Sequence, residues 1–117
     1  HQLGLADIDL WEINEAFAAQ VLGCLAAWAS DDYCREQLGL PGALGQIAPE
    51  RLNIDGSAIA IGHPVGASGA RIVLHLLQAL RIARAKRGIA AICIGGGQGG
   101  AMLLETFDQA QVKRRTS

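Results

Sequence analysis

The sequence is poor in most features that would mark a specialised surface. Of its 117 residues only 4% are aromatic, and ten Lys and Arg against eleven Asp and Glu leave a formal net charge of -1. A nucleic-acid surface needs a basic face carrying stacking side chains, so that class is excluded. The short basic cluster Lys113-Arg114-Arg115 reads as a solvated tail. No apolar run approaches the ~20 residues that span a bilayer, and no basic segment leads into an apolar core at the N-terminus. A soluble, cytoplasmic protein without membrane contact is therefore expected. The chain has only three cysteines, Cys24, Cys34 and Cys93, an odd number at wide spacing. That excludes a disulfide framework and a CxxC zinc knuckle, and no metal site is expected. An initial methionine is also lacking, and with a strand pattern beginning about eight residues in, the chain reads as a piece of a longer polypeptide.

What is present is half hydrophobic and rich in glycine. Ile8 to Ile13 alternates in the manner of a short strand with one buried face. A helix follows, with Phe17, Val21, Cys24, Leu25 and Trp28 on one stripe and Ala16, Ala18, Ala19 and Leu22 elsewhere. A helix apolar nearly all round should be buried. Asn14, at its start, reads on its own as an N-cap. Ser30-Asp31-Asp32 opens a short polar helix that Gly39 and Pro41 end. Cys34 and Cys24 both read as packing thiols, Cys24 the more strongly because it lies on the apolar stripe. A glycine-rich stretch then enters a long helix whose apolar face is Ile72, Val73, Leu76, Leu77 and Leu80. His75 falls opposite, as a solvated surface histidine. Two buried strands close the pattern, Ile89 to Ile94 and Ala101 to Phe107.

Between those strands lies CIGGGQGG, Cys93 to Gly100. Gly95, Gly97 and Gly100 satisfy G-x-G-x-x-G, but a dinucleotide fingerprint needs a helix, a further strand and an acidic residue downstream. Only 17 residues follow Gly100. The stretch is instead a glycine-rich hairpin with a thiol at its entrance, and so many glycines suit the close approach of another group.

The second unusual stretch is Gly62-His63-Pro64-Val65-Gly66-Ala67-Ser68-Gly69. Pro64 restricts His63 to extended geometry. The positive end of the following helix favours a neutral ring able to accept a proton. Ser68 sits in G-A-S-G-A rather than G-x-S-x-G and reads as a helix cap.

Together Asn14-Glu15-Ala16-Phe17, Gly62 to Arg71, and Cys93 to Gly99 resemble the thiolases, in that family's order and across nearly the whole chain. The resemblance implies an α/β fold. The chain would be most of one half of a thiolase-type fold, a mixed sheet with helices ending in a glycine-rich β-hairpin. Residues 1–117 would form a partial C-terminal domain, without its first strand and helix and without the N-terminal domain. The implied activity is an acyl-CoA C-acyltransferase, cleaving a 3-ketoacyl-CoA with CoA or condensing two acyl-CoA molecules. Coenzyme A thioesters are substrates, and no cofactor is implied.

By the same resemblance Cys93 is the acid/base thiol that moves the α-carbon proton, a task suited to a thiol with an ordinary pKa near 8.5. His63 activates the nucleophilic cysteine and helps hold the thioester oxygen. Asn14 positions a water in the same oxyanion hole, and the Gly95 amide contributes to a second one. The family's nucleophile motif, Asn-x-x-Cys-Ser/Ala-Ser/Gly-Gly, is absent from these residues, so the chain alone is expected to be inactive. Implied partners are acyl-CoA, CoA, a thiolase N-terminal domain and further copies in a dimer or tetramer. Alone, the chain should expose apolar surface and associate. The rival reading is a non-catalytic structural or assembly module of the same fold. Cys93 separates the two, since a catalytic thiol must be accessible and a structural one buried.

Overall fold

A computed structural model describes residues 2–107; His1 and residues 108–117, including the basic cluster Lys113-Arg114-Arg115, lie outside the described residues. The described elements run β1 (Leu10–Ile13), α1 (Ala18–Trp28), α2 (Asp31–Leu38), α3 (Ala58–Ile61), α4 (Val65–Ala83), β2 (Arg87–Gly95) and β3 (Gln98–Glu105), with short 3-10 turns at Leu5–Asp7 and Pro49–Arg51. The expected α/β architecture with a mixed sheet is observed. β1 pairs in parallel with β2, Leu10 opposite Gly88 and Ile13 opposite Ala91. β2 pairs antiparallel with β3. The sheet order is therefore β1-β2-β3.

The core lies between this sheet and α4. Leu10, Ile72, Leu76, Ala79, Leu80 and Ala90 form one buried cluster, flanked by Val73, Ala85, Ile92 and Leu104. The Ile72, Leu76, Leu80 stripe read from the sequence is the buried face of α4. Each such aliphatic side chain contributes about 1.5–3 kcal/mol on burial. Gly88 lets the helix sit this close, because a Cβ there would stand 2.8 Å from Leu76 Cδ1. Asp9 Oδ2 accepts from the amides of Lys86 and Arg87 at 2.9 and 2.8 Å, which draws the start of β2 alongside β1.

Four local expectations are corrected. All four residues of β1 are buried, not one face of it. Leu10 and Glu12 face α4, whereas Trp11 faces Trp28 of α1 with ring centroids 6.1 Å apart. Helix α1 begins at Ala18 with extended Phe17 as its cap, so Asn14 caps nothing. The same helix is only partly covered, with Val21 alone buried, because no described element covers its outer face. The two thiols also exchange places: Cys34 is wholly buried, its Sγ near the carbonyls of Ala27 and Trp28, and Cys24 is half-buried. Cys34 gains its cover because α2 folds back onto α1.

Other local signals were read correctly. Ser30 Oγ accepts from the amide of Tyr33 at 3.2 Å at the start of α2, and Gly39 ends that helix in the left-handed region at φ 65°. At the hairpin tip Gly96 and Gly97 have φ 59° and 73°. Two central residues with positive φ make the turn whose twist matches the strands it joins.

Candidate functional site

The site is built at the carboxyl ends of the two parallel strands, where an α/β sheet opens a crevice. Asn14 extends the β1 ladder by one step, its amide donating to Ala91 O of β2 at 2.9 Å. Its side chain is completely buried. Asn14 Nδ2 stands 3.4 Å from His63 Nε2, so the structure brings together two residues 49 apart in sequence.

His63 is held from the other side by Ser68. The ring Nδ1 lies 2.6 Å from Ser68 Oγ, and that hydroxyl donates to Pro64 O at 3.2 Å. A hydroxyl has one proton to give, so with it committed to Pro64 the ring Nδ1–H is the donor to Oγ. Nε2 is left with its lone pair, able to accept the Asn14 amide or a substrate proton. Ser68 is therefore not the helix cap expected from the sequence. It lies one turn inside α4, whose cap is Pro64, and it fixes the histidine tautomer.

Cys93 is exposed. It lies two residues beyond Ala91 on β2 and so shares that residue's face of the sheet. The pairing of Cys93 with Gly99 is followed by a register shift before Gly95 pairs with Gln98. Such a bulge re-aims the strand end. Gly95 has φ 119° and open space where a Cβ would stand. Among the described contacts no hydrogen bond joins Cys93 to His63 or Asn14, so of the four residues only Asn14 and His63 are in direct contact. Asn14 Oδ1 is buried with no hydrogen-bond partner.

Several supporting residues escaped the sequence reading. Asn53 accepts from Ile13 N at 2.8 Å and donates to Ile13 O at 2.9 Å and to Glu15 Oε1 at 3.3 Å. Glu15 Oε2 accepts from Ile59 N at the start of α3. Arg71 Nη1 donates to Gly62 O at 2.8 Å, directly before His63. The signal was present in Asn53-Ile54-Asp55-Gly56, a turn pattern in which Asn tolerates positive φ, and Asn53 adopts φ 48°.

His75 requires a further correction, because it is not a solvated surface residue. Its Nδ1 lies 2.5 Å from Glu12 Oε1 and its Nε2 lies 2.9 Å from Asp55 Oδ2. Glu12 is buried. Burial holds the Glu12 carboxyl above the usual carboxylate range, with His75 offsetting only part of that. Burial also works against a charged His75 ring, but the bond to Asp55 and the charge and bond of Glu12 outweigh it and hold the imidazole above its ordinary value. Among the described residues no group of three or more His, Cys, Asp or Glu is arranged to hold a metal ion, and no helix is long and apolar enough to cross a membrane.

Comparison with known proteins shows what the chain is similar to. Residues 1–106 match the family model described as "Thiolase, C-terminal domain". A "Probable 3-ketoacyl-CoA thiolase" of Caenorhabditis elegans is 41% identical over 105 residues, covering 90% of this chain and 23% of that protein. The "3-ketoacyl-CoA thiolase" of Pectobacterium atrosepticum is 44% identical over 103 residues, covering 88% of this chain and 24% of the relative. That of Pectobacterium carotovorum is 45% identical over 101 residues, covering 86% and 23% respectively. The chain thus spans about a quarter of the length of the relatives it matches.

Proposed function

This chain belongs to the thiolase family, matching its C-terminal domain, and on that premise we propose that it supplies half of the active site of an acyl-CoA C-acyltransferase. The observation that carries the proposal is the Asn14–His63 contact, set at the end of the same strands on which Cys93 is exposed. The relatives' shared name, 3-ketoacyl-CoA thiolase, favours cleavage of a 3-ketoacyl-CoA by CoA.

In that reaction a nucleophilic cysteine from outside these residues attacks the 3-keto carbon and carries the acyl group. As the bond between the α-carbon and the keto carbon breaks, its electron pair stays on the α-carbon, and the Cys93 S–H gives that carbon a proton. In the condensing direction the Cys93 thiolate removes the same proton. His63, with Nε2 unprotonated, takes the proton of the nucleophilic thiol. Once protonated there, the ring becomes a donor to the thioester oxygen. The orphaned Asn14 Oδ1 supports a role in holding a water beside that oxygen. Gly95 offers its backbone amide to the acyl oxygen, and donors of this kind are typically worth about 3 kcal/mol to a transition state.

CoA and acyl-CoA enter as substrates, without a resident cofactor. The same reading places the protein in fatty acid metabolism in the cytoplasm, working with a thiolase N-terminal domain in a dimer or tetramer. The accessibility of Cys93 favours this reading over the non-catalytic module. A direct test adds acetoacetyl-CoA and CoA to this chain alone and follows the ketoester absorbance. No turnover is expected, because the acyl-carrying thiol is not among its three cysteines. Sustained loss of absorbance would sink the division of labour proposed here.

A further inference from the structure

Three polar side chains on one face of α4, at i, i+3 and i+7, hold three successive points of the segment that carries His63. Ser68 holds the His63 ring at 2.6 Å, Arg71 holds Gly62 O at 2.8 Å, and His75 holds Asp55 at 2.9 Å. The spacing places all three on one helical stripe. The segment from Asp55 to His63 thus lies along α4, pinned at both ends and near the middle of its length by Glu15 on Ile59 N. His75 is itself anchored to β1, through buried Glu12. Glu12, Asp55, Ser57, Arg71 and His75 line a cavity of about 150 Å³ behind the His63 loop. Arg71 Nη2 and Ser57 Oγ are buried there without a hydrogen-bond partner in the described structure.

We infer that His75, clasped between Glu12 and Asp55, is a positioning residue for His63, and that loss of its proton releases Asp55 and loosens the loop bearing the histidine. The inference rests on His63 being the base of the proposed reaction. Its physical basis is proton counting. Ionised carboxylates only accept, so an imidazole bonded to one on each ring nitrogen must carry both N–H protons, unless a carboxyl supplies one. The cluster needs two protons for its two bonds. When one leaves, one bond fails. The Asp55 side chain is 71% exposed and Glu12 only 3%, so Asp55 is the partner that water can replace.

The charged groups facing His75 are Glu12 from β1, Asp55 from the turn before α3, and Arg71 one turn back on α4; Glu15 acts from beyond, through Glu12. With Asp55 free, the backbone from Gly56 to Gly62 keeps Arg71 and Glu15 as anchors. Its two positive-φ glycines, Gly56 at 80° and Gly62 at 88°, allow it to shift. Nothing in this chain of contacts requires substrate.

The test reads His63 and His75 separately, by long-range imidazole nitrogen–proton spectra of the protein across pH 5 to 9, for wild type, Asp55→Asn and His75→Gln. Asp55→Asn alters an exposed side chain and leaves the core intact; His75→Gln removes the titrating ring and keeps a donor toward Glu12. The expected wild-type result is a His63 signal with Nδ1 protonated that shows an inflection where His75 titrates. In Asp55→Asn the His75 midpoint falls and the His63 inflection moves with it. In His75→Gln the inflection is lost. A His63 signal indifferent to His75 titration and to both substitutions would overturn the inference. These spectra do not depend on turnover, so a failure of the proposed reaction, seen as no activity in any thiolase context, is distinguished from a failure of the coupling.

Discussion

The most consequential single residue outside the expected set is Ser68. It is wholly buried, and its one proton goes to Pro64 O, which obliges His63 Nδ1 to donate. Replacing it with alanine would strand a ring N–H in a partly buried setting, and such an orphan costs about 1–3 kcal/mol. Ser68→Ala should therefore lower the denaturant midpoint and free the ring to adopt either tautomer. Denaturant titration followed by fluorescence checks the first part, and an unchanged midpoint would mean that the short Nδ1–Oγ contact contributes nothing. Asn14, His63, Cys93 and Gly95, the residues singled out in the sequence, stand at the carboxyl ends of β1 and β2 or against them. Their supports were not legible there, because a serine before a helix and a serine one turn inside it look alike in sequence. The difference lies in whether Pro64 or Ser68 begins the helical bonding.

At the scale of elements, β1 and α4 are joined by titratable groups, and this sets a pH dependence. His75 is held above its ordinary value of 6.5, so its contribution is complete below that value and is lost as pH rises through the folded one. Glu12 is held above its ordinary 4.5 by burial, so its ionised form costs stability that also grows with rising pH. Both act in the same direction. Asp9 acts in the other, since its carboxyl is held below 3.8 chiefly by the Arg87 and Lys86 amides and its contribution is lost only in stronger acid. Stability should therefore be greatest in the mildly acidic range and fall between pH 6 and 9. Urea midpoints measured across that range check the sign; a rise toward pH 9 would contradict the assignment of His75 and Glu12. The pairing of Glu12 with His75 could not be read from periodicity. Glu12 shares Leu10's face of the strand toward α4, and its partner is a histidine 63 residues away that no local spacing reveals. The apolar stripe of α4 and the glycine hairpin were legible because each depends only on local spacing and positive φ.

Across the whole molecule, large apolar side chains remain open: Phe17 is 75% exposed, Val65 79%, Leu74 70% and Ile82 76%. They lie on α1 and α4 or at their starts, which accounts for the sequence reading of α1 as a buried helix: its composition suits cover that no described element provides. Such a surface favours association, so light scattering on this chain alone should show a mass that rises with concentration. A monomer at all concentrations would contradict that expectation. The central claim, that Cys93 is the acid/base thiol of a half-site completed by another domain, has a more direct test. The matching segment of the Pectobacterium atrosepticum relative, 44% identical over 103 residues, can be exchanged for this chain and the cleavage of acetoacetyl-CoA by CoA followed. The exchanged protein should turn over, and Cys93→Ala should slow it by about a hundredfold to ten-thousandfold, the usual worth of a positioned acid/base. A rate that Cys93→Ala leaves unchanged would contradict the account.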